Sequence, residues 1–269
     1  MSSTKKLNTI WAAVLAAGVA MPMTANAADL LVDPPVVEAP EVKSAGGWYL
    51  RGDITYDYYD MDEPDFSVPG GTQVHFTSAD ADEAFDIGFG IGYQFNEYFR
   101  ADLTGEYVFE SDFTGSTRGN CGGTAADGVS FINCGSRDTA SFDVFKVMAN
   151  GYVDLGKFSG ITPYVGAGIG GAYVSWDSLT NAATCDAGAI GCTSFTDVHQ
   201  GESSWRFSWA LHAGASYDIS HNTKIDFGYT YNRIESGDMF QWLDGSGTQG
   251  HDDGFDSHVF RAGLRYQIW

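Results

Sequence analysis

The residues of this 269-residue chain best suited to chemistry are six histidines, four cysteines and a Ser208/His212 pair on one face of an alternating run. Serine beside histidine suggests an activated nucleophile. On an extended segment, however, residues four apart stand ~13 Å from one another, beyond the reach of a base to its nucleophile. Ser208 and His212 therefore read as a hydrogen-bonded interior pair, and no catalytic residue is expected. Cys121 with Cys134 and Cys185 with Cys192 form two close pairs in Gly/Ser/Thr/Asn-rich segments. None of these spacings is C-x-x-C and no histidine lies within a few residues, which argues against a metal centre. Four cysteines allow three connectivities, and the local one, closing two short loops, is the expectation. Acid clusters at Asp60–Asp65 and Asp252-Asp253 could attract Ca²⁺, yet neither has the glycine and terminal Glu of an EF-hand loop. Gly166, Gly168 and Gly170 imitate a nucleotide loop, but they sit inside a strand pattern with no helix following.

The elements that must position these residues are strands. From Ala84 to Phe109 two alternating runs flank Asn96-Glu97-Tyr98. Phe85, Ile87, Phe89, Ile91, Tyr93 and Phe95 take one face of the first run, with Ala84, Asp86, Gly88, Gly90, Gly92 and Gln94 on the other. Phe99, Ala101, Leu103, Gly105, Tyr107 and Phe109 continue the apolar face, against Arg100, Asp102, Thr104, Glu106 and Glu110. Period two with one greasy and one polar face defines a hairpin whose apolar side suits lipid and whose polar side suits a lumen. The same alternation recurs from Trp48 to Tyr58, Val144 to Leu155, Ile161 to Trp176, Trp205 to Ile219, Lys224 to Asn232 and Phe260 to Ile268. That makes eight strands.

Lys5 and Lys6, an apolar run from Ile10 to Met23 and Ala25-Asn26-Ala27 form a secretory signal, so residues 1–27 are expected to be removed on export. Residues 28–46, with Pro34, Pro35 and Pro40, read as a disordered periplasmic lead-in, and 47–269 as the folded domain. No later stretch is apolar enough to span a membrane as a helix, so a membrane-spanning chain must be a barrel. The formal charge of −21 argues against nucleic acid as a partner. Connections between strands alternate long and short, with the long ones at Asp60–Glu83, Ser111–Ala140, Asp177–Ser203 and Glu235–Asp256. The expected fold is all-β: an eight-stranded antiparallel up-and-down transmembrane β-barrel with four long extracellular loops and three short periplasmic turns. Both termini are then periplasmic. A soluble barrel with its aromatic face inward is the rival, opposed by the regular alternation of loop length and by the ending on a strand.

Gly47-Trp48-Tyr49-Leu50-Arg51-Gly52, the strand from Ile161 to Gly171 and the closing Arg261-Ala262-Gly263-Leu264-Arg265-Tyr266-Gln267-Ile268-Trp269 resemble the eight-stranded outer-membrane β-barrels of Gram-negative bacteria. These are the OmpA-like and Opa-like surface barrels grouped with the porin family. The resemblance implies a non-enzymatic, monomeric protein of the cell outer membrane, in contact with lipid and lipopolysaccharide, whose last strand is read by the barrel-assembly machinery. Two departures stand out. The outward register ends at Ile268 with Trp269 one residue beyond, and the peptidoglycan-binding domain of full-length OmpA-like proteins does not follow, so cell-wall anchoring is not expected. Some relatives bind haem or host surfaces, which would make His75, His199 and His251, in three different loops, the haem candidates.

The inward faces carry Arg51, Arg100, Lys146, Arg206, Lys224, Arg261 and Arg265 beside Asp53, Asp57, Asp86, Asp102, Glu106, Asp154, Asp218 and Asp226. Enclosed charges persist only when paired, and an eight-stranded barrel is just wide enough for its side chains to fill. The expectation is a structural, surface-exposed barrel with a closed, salt-bridged lumen. Loop-mediated binding of haem or a partner is the first alternative, and a small-solute porin the second.

Overall fold

The computed structural model describes residues 46–61, 64–68, 72–125, 128, 132–241 and 249–268. The signal segment, the lead-in before Gly46 and Trp269 lie outside them, as does most of the Val129–Ile132 run. Of two units, divided between Glu41 and Val42, the second is the one described.

Eight strands pair in a ring: β1 (Gly47–Met61), β2 (Ala84–Gln94), β3 (Phe99–Ser116), β4 (Cys134–Asp154), β5 (Ile161–Trp176), β6 (Ser203–Asp218), β7 (Thr223–Ile234) and β8 (Phe255–Gln267). Each pairs antiparallel with its successor, and β8 pairs antiparallel with β1 from Tyr49↔Gln267 to Met61↔Phe255, so every edge is used. The short turns carry their own bonding. Asn96 Oδ1 accepts from the amides of Tyr98 and Phe99 at 2.8 and 2.9 Å, and Gly160, at φ 86°, occupies the left-handed region that glycine tolerates.

The alternation sorts the side chains. Phe89, Ile169, Trp205, Phe227 and Phe260 point outward and are 59 to 70% exposed, whereas the alternate residues are buried. Exposed apolar side chains in a continuous outward band are what a lipid-facing surface requires. The inward glycines of β5 make room, since a Cβ at Gly166 or Gly168 would collide with the Tyr152 or Asn150 side chain.

Two sequence expectations change. A β-bulge between Val108 and Ser111, opposite Val144 and Phe142, shifts the phase of β3. Glu110 therefore faces out while Ser111 and Phe113 are buried, 2 and 0% exposed. The long connections are also not irregular, because β3 and β4 run on into the second of them and short strands build a crown above the ring. Its order is Ser78–Ala81, upper β3, upper β4, Leu179–Cys185, Phe195–Gly201, Gly237–Gln241, Gln249–Asp252, Asp65–Val68 and Thr72–His75. Phe76 and Thr77 join the two ends of that order, with the Thr77 amide donating to the Ser116 carbonyl at 2.7 Å.

A candidate functional site: the stacked interior and the crown

The inward charges form layers along the ring. At the short-turn end, Arg100 bonds Asp154 at 3.1 Å and lies 3.9 and 4.6 Å from the ring centroids of Tyr152 and Tyr164. Arg265 donates to Ser216 at 2.7 Å and to Asp226 at 3.2 Å. In the next layer Arg51 spans Asp53 on its own strand at 2.8 Å and Asp102 on β3 at 2.9 Å, with Arg261 3.9 Å from Asp53. Asn150 donates to Asp102 at 2.9 Å, which turns its carbonyl oxygen toward His212 Nε2 at 3.1 Å. That oxygen must accept, so Nε2 carries the proton and Nδ1 accepts from Thr230 at 2.9 Å. Ser208 donates to the Arg233 carbonyl at 3.1 Å. Ser208 and His212 thus have separate partners.

Lys146 closes the charged section. Its ammonium, on β4, stands 3.1 Å from Glu106 and 3.6 Å from both Asp57 and Asp86, carboxylates contributed by three other strands. Two voids among these groups are small: about 20 Å³ beside Lys146 and His212, and about 10 Å³ beside Tyr49 and Arg265. Each has room for about one water.

Three members of the sequence-derived lumen set sit differently. Asp218 pairs with Lys157 of the short turn and with Lys224, and the Asp218 and Lys224 side chains are 18 and 29% exposed, so the trio belongs to the rim. Among the described residues Arg206 pairs with a crown charge rather than a barrel one. It bonds Asp252 of a crown strand at 2.6 Å and the Asp238 carbonyl at 2.9 Å, fastening the fourth long connection to β6. Burial pushes the Asp252 carboxyl up, against the pull of Arg206.

Above Lys146 the interior turns apolar. Phe142 and Trp176 pack with their rings tilted and centroids 4.6 Å apart, and Phe113, Phe255 and Tyr59 pack on them at 5.6 to 5.8 Å. Val144, Val174 and Ile234 complete this plug. It fills the ring where the crown begins.

The crown is pinned by two disulfides, Cys121–Cys134 and Cys185–Cys192. Cys134 lies directly opposite Cys185 in the ladder between β4 and Leu179–Cys185, so the second and third long connections are zipped side by side. Arg118 pairs with Asp186 across the same seam.

The crown also holds a half-open cavity of about 410 Å³ between the plug and the seam. Register explains its lining, because cross-strand partners share a face. Leu179 opposes His199, Asn181 opposes both Asp197 and Asp138, and Ala183 opposes Phe195 on one wall. Phe66 opposes Val74 and Gly250, and Gly250 opposes Phe240, on the other. Burial pulls the His199 imidazole below its ordinary range, so it is neutral at pH 7.

The three haem candidates do not converge. His199 lines the cavity, while His75 and His251 flank Asp65 on neighbouring strands outside its lining, and His251 Nδ1 binds Asp238 at 2.9 Å. Among the described residues no group of three or more His, Cys, Asp or Glu is placed to hold a metal ion. Sequence reasoning missed Phe66, Phe240, Asp138 and Asp197. The Phe195/Asp197/His199 alternation was the available signal for one wall.

Residues 11–267 match the family model described as the outer membrane protein beta-barrel domain. The chain belongs to that family, an outer-membrane one. It is 36% identical to an uncharacterised protein of Brucella abortus strain 2308, over 91% of this chain and 93% of that one. A putative adhesin of Rickettsia bellii strain OSU 85-389 is 25% identical over 82% of this chain and 88% of its own length. Among solved structures, outer membrane protein OprG of Pseudomonas aeruginosa covers 83% of this chain and 96% of that chain, at 15% identity and a TM-score of 0.46.

Proposed function

We propose that this protein is a closed, non-enzymatic barrel that carries a rigid binding crown on the outside of the cell. The observation that supports it most is the sequence of layers: ion pairs fill the ring to Lys146, and an aromatic plug closes it beneath the crown. A solute path would have to break both. Ser208 and His212, the one pair suited to nucleophilic chemistry, are each engaged elsewhere. The short turns then face the periplasm and the crown faces outward, the usual distribution of short and long connections in such barrels.

The reading is tested by epitope tags on intact cells. A tag inserted at Gly188 in the crown should bind antibody without permeabilisation, and one inserted at Ser159 should need it. The reverse pattern would overturn the orientation. Loop-mediated attachment to a host or partner surface is the second reading, favoured by the 25% identical relative described as a putative adhesin. Its test is loss of cell binding when the crown, with barrel intact, is replaced by short turns.

A further inference from the structure

The crown cavity holds a combination of groups that the closed-barrel reading does not use. On one wall Phe66 lies 6.1 Å from Phe76 and 6.4 Å from Phe240, and from the facing wall the His199 ring comes within 5.3 Å of Phe240, all as centroid distances. Aromatic faces carry negative quadrupole charge, so rings arranged around one space attract a cation as well as apolar surface. Across the cavity stand Asp138 and Asp197, both opposite Asn181. Asp138 already accepts from Ser136 at 2.6 Å and from Asn181, which fixes its carboxylate in place. Arg118, the basic residue of this wall, has its charge answered by Asp186. His199 adds no positive charge, since burial keeps it neutral. The surrounding chain is strongly acidic, with a formal charge of −21. That field raises the local concentration of cations and repels anions.

We infer that this cavity is a binding site for a small organic cation: an ammonium group borne on an aromatic or branched alkyl body, seated between the phenylalanine rings and Asp197. The volume of about 410 Å³ lies at the lower end of the range used by small-molecule sites, which sets the ligand at the size of a single ring with its amine. An anionic ligand would meet two carboxylates. A purely apolar one would leave Asp138, Asn181 and Asp197 facing hydrocarbon, at a desolvation cost. The inference deepens the crown half of the proposed function and does not depend on whether the barrel conducts.

The test is equilibrium dialysis of the refolded, disulfide-intact protein in lipid nanodiscs against empty nanodiscs. Benzyltrimethylammonium is the probe, and neopentylbenzene, its uncharged isostere, and benzoate are the comparators. The ammonium should bind saturably at one site, the isostere about tenfold more weakly, and benzoate not at all. Asp197→Asn should weaken the ammonium about tenfold while leaving the isostere unchanged, and Phe240→Leu should weaken the ammonium more than the isostere. Asp197 is partly exposed, so that variant keeps the fold, which heat-modifiable migration on a gel verifies. Equal binding of ammonium and isostere, indifference to Asp197→Asn, or absence of saturable ammonium binding would each overturn the inference. None of these outcomes bears on crown exposure or closure, so the closed-barrel reading would survive them.

Discussion

The interior from Tyr49 to Lys146 and the interior from Val144 to Phe240 meet the same demand, filling a ring of eight strands, by opposite means. The first uses charge. Arg51, Asp53, Asp102 and Arg261 interlock, and Lys146 answers three carboxylates at once. The second uses aromatic area, with Phe142, Trp176, Phe113, Phe255 and Tyr59 in tilted and edge-to-face contacts. The contrast follows from how each layer can be covered. Inside the membrane ring a strand's outward face is already apolar, so the inward residues can be polar if every charge finds a partner. At the crown the short strands have water on their outer side and need a dry core of their own, as any small β-structure does.

The two halves should fail differently. Lys146→Ala leaves Asp57, Asp86 and Glu106 without their cation and should cost about 3 to 5 kcal/mol in equilibrium unfolding from lipid. Adding Glu106→Gln should recover part of that loss, and a double variant no better than the single would break the electrostatic account of this layer. Phe142→Ala removes a side chain that is 1% exposed and should cost about 3 to 5 kcal/mol by opening a cavity, with no recovery from any charge change. On the outer face Phe89→Arg, at a residue 70% exposed, should cost about 2 to 4 kcal/mol in lipid. A neutral result there would mean that this face does not meet lipid.

Disulfide reduction is the smaller perturbation and separates ring from crown. The ring keeps all eight ladders when Cys121–Cys134 and Cys185–Cys192 are opened, whereas the two connections that meet at the Cys134/Cys185 pairing each lose a covalent loop closure. Amide exchange should therefore rise in Leu179–Cys185 and Phe195–Gly201 and stay unchanged in β1, β2 and β6. Uniform acceleration would show that crown and ring unfold as one.

The strand faces were legible because period two is local: in runs such as Trp48–Tyr58 and Phe85–Phe95 the outward aromatic residues were identified from their immediate neighbours. The bulge was not, because the alternation through Glu110 continues smoothly in the sequence and only the pairing with Phe142 and Val144 reveals the extra residue. The crown was illegible for a related reason. Its strands are 4 to 7 residues long, and the crown joins up only where segments of different connections pair, as Gln249–Asp252 does with Asp65–Val68. Segments that short give little periodicity, and the partners that join one connection to the next lie far off in the chain. Phe142 and Trp176 show the consequence. Phe142 falls between a stretch read as loop and the strand read from Val144, Trp176 is the last residue of the strand read from Ile161, and their role in the plug depends on one another rather than on their neighbours.

Planar-bilayer recording of the refolded, disulfide-intact barrel is the most direct measurement of whether this stacked interior is closed. The layers described above predict a membrane resistance that insertion leaves unchanged, without steady current steps, and a stable, ohmic step per inserted molecule would contradict them and make a solute pore of the protein.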